Sequence, residues 1–185
     1  MRTLKENAMS VSPEIIAAPD KEYEIVEGHP EEKEMGGARH SGVGVRLIAN
    51  LWLHVDAHRL GGVYGPDVTF KIGDNERLPD VAFVSASRIG PEGEPEGIWQ
   101  IAPDLAVEIV SPNDLFDRVI SKVHEYLAAG VRQVWLISPE HRTIIIYHSP
   151  TRTTILSEDD DLVSEELLPG FRCHVADLFR QPTNR

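Results

Sequence analysis

Two periodicities divide this chain. From residue 40 to about 60 the apolar positions Val43, Leu47, Leu51 and Val55 return at helical spacing, Ala57-His58 closes the run, and Gly61-Gly62 stops it. A second helical stretch follows Ser111-Pro112. Asn113 or Asp114 is placed to cap it and Gly130 to end it after Ala129; its apolar arc gathers Leu115, Phe116, Val119, Ile120, Val123, Tyr126 and Leu127. Elsewhere the period is two, or the run is apolar throughout. That predicts strands at 23–27, 63–64, 68–72, 81–84, 105–110, 134–137, 143–147 and 154–156, with a hairpin across SPEHR. An acidic, Gly-containing loop is expected up to Ala38, a turn at Gly73-Asp74-Asn75 and a loop at 90–97, with a short segment after the last strand. Residues 1 to about 19 lack clear periodicity and read as an N-terminal arm, leaving residues 20–185 as a single domain. The order helix, strands, helix, strands suits an α/β or α+β layer in which two helices pack on one mixed sheet.

One residue breaks the pattern. Residues 105–110 read LAVEIV, a run suited to the middle of a sheet, and Glu108 sits inside it. An ionised carboxylate in such a place costs several kcal/mol unless it is paired, hydrogen-bonded or bound to a metal. On a strand Ala106, Glu108 and Val110 share one face, and Pro112 soon ends the run, so Glu108 lies near the strand's exit. Pro79-Asp80 opens strand 81–84, where a proline belongs because it donates nothing to the ladder. If these strands are antiparallel neighbours, Asp80 and Glu108 meet at one sheet margin, and two converging carboxylates suit Mg²⁺ or Mn²⁺. Lys122 falls at the rim of the second helix's apolar arc. From there an ammonium reaches between the carboxylates, stabilises developing negative charge, and orients or helps deprotonate an attacking water. Each residue also has a plainer role: Glu108 paired with an Arg, Asp80 in a turn or cap, Lys122 snorkelling from a helix rim.

Composition narrows the classes. A length of 185 residues suits one domain with a real core, and 41% hydrophobic with 26% charged residues is ordinary for a soluble globular chain. No apolar run approaches the ~20 residues that span a bilayer, and MRTLKENAMS lacks the apolar core of a signal peptide. Cys173 is the single cysteine, which excludes an internal disulfide or a multi-cysteine zinc site and fits a reducing cytoplasm; alternating with Phe171, it reads as a small buried hydrophobe. The net charge of −12, with scattered basic residues, counts against tight unaided binding of DNA. The acidic clusters at 22–34 and 157–161 read as solvated loops.

Pro79-Asp80, Glu108 in its apolar strand, and SPNDLFDRVISKVHEYLAAGVRQVWLISPE over 111–140 together resemble the Uma-two family of endonucleases, within the PD-(D/E)XK nuclease superfamily. The resemblance runs from about Tyr23 to Tyr147, and its most specific parts are PDLAVEIVSP, the DRxxxK helix and AGVRQVWLI. It implies a restriction-endonuclease-like core, a mixed sheet flanked by helices. It also implies Asp80 and Glu108 as ligands of Mg²⁺ or Mn²⁺ and Lys122 as the catalytic lysine; beside them, the backbone carbonyl of Ile109 is a candidate further ligand. Val110 stands where the superfamily motif has its lysine, and Lys122 takes that role. The family also resembles this chain at Glu24, within YEIVEG, and at His40 before the first long helix; both enter as candidate site residues.

The activity implied is hydrolysis of DNA phosphodiester bonds. The alternative is a nuclease fold without catalysis, a binding or regulatory module acting as a homodimer, which the acidic charge favours. His54 and His58 have the i, i+4 spacing of a helical zinc pair, but Val55 stands where the metalloprotease motif needs Glu.

Overall fold

The structure, a computed structural model, describes residues 22–33, 36–112 and 114–182. The arm expected over residues 1–19 and the cap expected at Asn113 lie outside the described residues. The first elements are β1 (Tyr23–Val26), β2 (His29–Glu32), α1 (Ala38–His58), β3 (Gly61–Tyr64), β4 (Phe70–Ile72), β5 (Asn75–Arg77) and β6 (Val81–Ser85). Then follow β7 (Leu105–Ile109), α2 (Phe116–Ala128), β8 (Gln133–Ser138), β9 (Thr143–Ser149) and β10 (Arg152–Leu156). The chain closes with β11 (Asp161–Ser164), β12 (Leu168–His174) and the short α3 (Val175–Leu178).

Six strands form the central sheet, in the order β10-β9-β8-β7-β6-β3. It is mixed: β7 and β8 run parallel, joined through α2, while β6 pairs antiparallel with β7, as the position of Asp80 required. The pleat gives the sheet two faces. Val81, Phe83, Leu105, Val107, Ile109, Trp135 and Ile137 point to a core shared with Val43, Leu47, Leu51 and Val55 of α1. Ala82, Val84, Ala106, Val134 and Leu136 point the other way, to Val123 and Tyr126 of α2. Glu108 belongs to this second face by alternation, which turns it toward α2. The small side chains of Ala82 and Ala106 leave room there for the large ones of Tyr126, Phe70 and Trp99.

α1 lies close to the sheet because Gly44 faces it: a Cβ there would come to 3.3 Å from the Ile109 side chain. The helix ends earlier than expected. Arg59, left-handed at φ 55°, returns its N–H to the Asp56 and Val55 carbonyls, and Gly61-Gly62 starts β3 instead of merely stopping the helix. At Gly61 (φ 150°) a Cβ would lie 2.0 Å from the Val84 carbonyl oxygen, so only hydrogen fits.

The strands outside the central sheet differ most from expectation. A four-stranded sheet, β2-β1-β5-β4, stands apart from the six-stranded one. Its β1–β2 hairpin turns on Glu27 and Gly28, both at positive φ, in the two-residue geometry that matches strand twist. Thus β2 occupies what looked like an acidic loop, and β5 begins at Asn75, where a turn was expected. Neither strand alternates apolar and polar residues, and β2 is exposed throughout, so no buried face marks either in sequence. The C-terminal segment is likewise a hairpin, β11–β12, whose Leu162, Leu168, Phe171 and Cys173 close the α1 side of the core. Asp161 opens β11 instead of lying in a loop, its carboxylate held by Arg172 at 2.5 Å.

α2 also starts later than its apolar arc. Its N-cap position is Leu115, and Asp114 instead accepts the Ser111 N–H at 2.6 Å, folding the turn before the helix. Leu115 and Phe116 are 61% and 76% exposed because the first turn stands clear of the sheet. Among the described residues no helix is long and apolar enough to cross a membrane.

Candidate active site

The carboxyl end of β7 opens into a cavity of about 790 Å³ lined by Glu24, Lys33, His40, Asp80, Glu108 and Lys122 among others. The structure therefore brings together all five side chains singled out in sequence. Ile109 lines the same space.

Asp80 sits one residue before β6, not inside it, and reaches across to β7: Oδ2 accepts the Ile109 N–H at 2.7 Å. Because Val81 pairs with Val107, this places Asp80 beside Glu108 at the sheet margin. His40, from the first turn of α1, donates to the same Oδ2 at 3.1 Å, and Lys33 lies 3.1 Å from Oδ1. Burial alone would raise the Asp80 pKa, but His40, Lys33 and the Ile109 N–H together depress it to about 2. The hydrogen bond to Asp80 in turn raises the imidazole of His40, helped by its contact with the Ile109 main chain.

Glu108 is buried, and two α2 side chains one turn apart satisfy it. The Tyr126 hydroxyl donates to Oε1 at 2.7 Å and Lys122 to Oε2 at 3.3 Å. Burial, with the neighbouring Asp80 and Glu24 charges, keeps the Glu108 pKa above the ordinary carboxylate range despite Lys122. Lys122 is not a snorkelling rim residue. Its Nζ also lies 3.0 Å from Glu24 Oε1, and the two carboxylates outweigh burial to hold its proton more firmly than in water. Glu24, buried in β1, also accepts the Leu78 N–H at 3.0 Å and pairs with Arg77 at 2.9 Å; these partners overcome its burial and lower its pKa.

Four residues of this network escaped the sequence reading. Arg77 of β5 grips Glu125 of α2 through Nε and Nη2 while holding Glu24, so it ties the small sheet to the helix. Lys33 stood in an acidic run that looked like solvated loop, and Tyr126 in an arc that looked purely apolar. The usable signal was Tyr126 one turn after Lys122 on a helix that directly follows Glu108.

The histidine pair behaves differently. His54 Nε2 is 3.1 Å from the Pro169 carbonyl and His58 Nδ1 is 2.8 Å from that of His54, so each ring spends an N–H on the main chain. Among the described residues no group of three or more His, Cys, Asp or Glu side chains is placed to hold a metal ion, so the pair has no third ligand for zinc.

Residues 12–176 match the sequence profile of the Uma2 family, described as "Putative restriction endonuclease". The chain is also similar to a "putative nuclease belonging to DUF820" from Anabaena variabilis ATCC 29413, known from a crystal structure, with TM-score 0.77 and 26% identity over 85% of this chain and 89% of that one. No curated protein matches the chain. The mixed sheet flanked by helices is thus a restriction-endonuclease-like fold. A profile match over most of its length makes this chain a member of the Uma2 family.

Proposed function

We propose that the protein is a divalent-metal-dependent endonuclease that hydrolyses phosphodiester bonds in DNA, with Asp80 and Glu108 as metal ligands and Lys122 as the catalytic lysine. One observation carries this reading: Asp80 and Glu108 converge at the end of β7, beside a lysine fixed by Glu108 and Glu24. The donor set supports a hard cation. Two carboxylates and the Ile109 carbonyl offer oxygen only, which suits an ion that keeps several of its waters. Bound there, Mg²⁺ or Mn²⁺ supplies a water of lowered pKa and charge to offset that on the phosphate.

The chain's own groups do the rest. Water attacks phosphorus, a P–O bond breaks, and the products are a phosphate monoester and an alcohol. Because Glu108 and Glu24 keep Lys122 protonated, Lys122 acts as a hydrogen-bond donor to the attacking water and the phosphoryl oxygen, and not as the base. Glu24 is a positioning residue that holds the ammonium in place, and Arg77 holds Glu24. His40 fixes Asp80 in the orientation that faces the cavity. The test is Mn²⁺-dependent cleavage of plasmid DNA alongside calorimetric titration with Mn²⁺. Asp80→Ala and Glu108→Ala abolish both; retention of both in either variant overturns the assignment.

A second reading has its own support. Glu27, Glu31 and Asp117 join the cavity rim and add negative charge where a phosphate backbone would approach. This favours a catalytically silent module acting as a homodimer. Mn²⁺ binding without cleavage of any DNA, together with a dimer in sedimentation, would establish it.

A further inference from the structure

Lys33 lies on the oxygen of Asp80 that neither the Ile109 N–H nor His40 takes. Oδ2 is taken by the Ile109 N–H at 2.7 Å and by His40 at 3.1 Å. Among the described residues Oδ1 has Lys33 alone, at 3.1 Å. Any cation that Asp80 binds has to compete for Oδ1, where the ammonium already sits. Two positive charges cannot share that oxygen without strong repulsion in a partly buried site.

The two lysines of the cavity are held differently. Lys122 is clamped between two carboxylates. Lys33 has one carboxylate and the Leu78 carbonyl, to which it donates at 2.7 Å. Its backbone is pinned, with Lys33 N–H donating to the Glu22 carbonyl at 2.9 Å, directly after the exposed strand β2. A fixed root, a flexible four-carbon stem and a single carboxylate partner allow the charge to move while the main chain stays.

We infer that Lys33 is the resident counter-ion of Asp80, yielding Oδ1 to the divalent cation and then binding the phosphate of the substrate strand. The inference rests on the nuclease reading above, and it gives Lys33 two effects of opposite sign. Removing the ammonium relieves competition for Asp80 and strengthens metal binding; it also removes a phosphate contact and weakens binding of the strand. A merely structural lysine cannot do this, because a loosened site loses both.

The experiment compares the wild type with Lys33→Met and Lys33→Arg, using calorimetry with Mn²⁺ alone and then anisotropy with a hydrolysis-resistant phosphorothioate oligonucleotide in the presence of Mn²⁺. Lys33→Met binds Mn²⁺ roughly tenfold more tightly, as removal of one adjacent like charge implies. It binds the oligonucleotide more weakly, with a salt slope shallower by about 1. Lys33→Arg keeps the cation and stays close to the wild type in both. Mn²⁺ affinity that is unchanged or weaker in Lys33→Met overturns the inference, as does undiminished oligonucleotide binding. If the wild type cleaves DNA and the variant gives either result, the nuclease reading stands and the role of Lys33 falls; a wild type that neither binds Mn²⁺ nor cleaves DNA overturns both.

Discussion

Tyr126 donates its phenolic proton to Glu108 at 2.7 Å, from the last turn of α2 to the end of β7, with both side chains buried. Burial and the neighbouring Glu108 and Glu24 charges push the phenol pKa far up, so the hydroxyl remains a donor across the working range of pH. This bond makes a carboxylate tolerable on an apolar sheet face, since it satisfies the oxygen that Lys122 does not reach.

Tyr126→Phe therefore destabilises the fold by about 1–3 kcal/mol, the cost of leaving a buried acceptor unmade. Urea denaturation measures it. Glu108→Gln in the Tyr126→Phe background costs less than the sum of the two single changes, because the two residues share one interaction. Strict additivity would show that the hydroxyl does not support Glu108.

Arg77→Met removes the cation between Glu24 and Glu125 and leaves a buried carboxylate with Lys122 as its one remaining cation among the described residues. The expected loss is about 3 kcal/mol in chemical denaturation, as for other broken buried pairs. Adding Glu24→Gln restores part of it by removing the stranded charge. A double variant no more stable than Arg77→Met would contradict this account.

The single thiol supplies a pH dependence. Burial, then the Asp177 and Asp161 charges, push Cys173 up to about 11 in the folded state, against an ordinary value of 9.0. The folded protein holds the proton more tightly, so the associated stability is complete below pH 9 and is lost as pH rises toward 11. Iodoacetamide labelling followed by mass spectrometry gives the readout: the native protein resists labelling at pH 8, and unfolded protein labels readily. Equal rates in native protein and in urea would contradict the burial of Cys173.

Exposure divides the apolar residues of α2 and the sheet into two classes that hydrophobicity alone does not separate. Phe116, 76% exposed, changes stability by no more than about 0.5 kcal/mol when replaced by Ala. Ile137, fully buried beneath α1, costs about 2–5 kcal/mol for the same replacement. Thermal unfolding of the two variants decides it, and a large loss for Phe116→Ala would show that the first turn of α2 is packed.

Most of the central sheet was legible because its strands are apolar on both faces and bounded by Gly and Pro. α1 and the end of α2 were legible because their buried stripes keep helical period. The candidate site was legible through one anomaly, Glu108, once Pro79-Asp80 and Lys122 were read with it. What escaped has a common cause. β2, β5 and β11 are short and polar or mixed, so their pairing rests on main-chain bonds that side-chain pattern does not record. Lys33, Arg77 and Glu125 are charged residues whose partners lie far off in sequence, up to 53 residues from Arg77 to Glu24. Spacing along the chain carries no sign of such pairs. The start of α2 was misjudged for the opposite reason: Leu115 and Phe116 continue the apolar arc after the sheet beneath it has ended.

Val110 tests whether the site lysine moved from strand to helix. Val110 is the next residue after Glu108 on the same strand face, lines the same cavity, and keeps its main-chain bond to the Ile137 carbonyl at 2.8 Å whatever its side chain. A lysine there would extend into the cavity without disturbing the ladder. Under the proposed mechanism Lys122→Ala lowers Mn²⁺-dependent cleavage by about 10²–10³, the usual loss for one preorganised donor. Adding Val110→Lys recovers about tenfold of that loss, since an ammonium returns to the cavity but lacks the clamp that Glu24 provides. Val110→Lys in the wild-type background gives no gain, because Lys122 already meets both carboxylates. A double variant as inactive as Lys122→Ala, yet folded and binding Mn²⁺ normally, would show that the helix position itself matters and that the two lysines are not interchangeable.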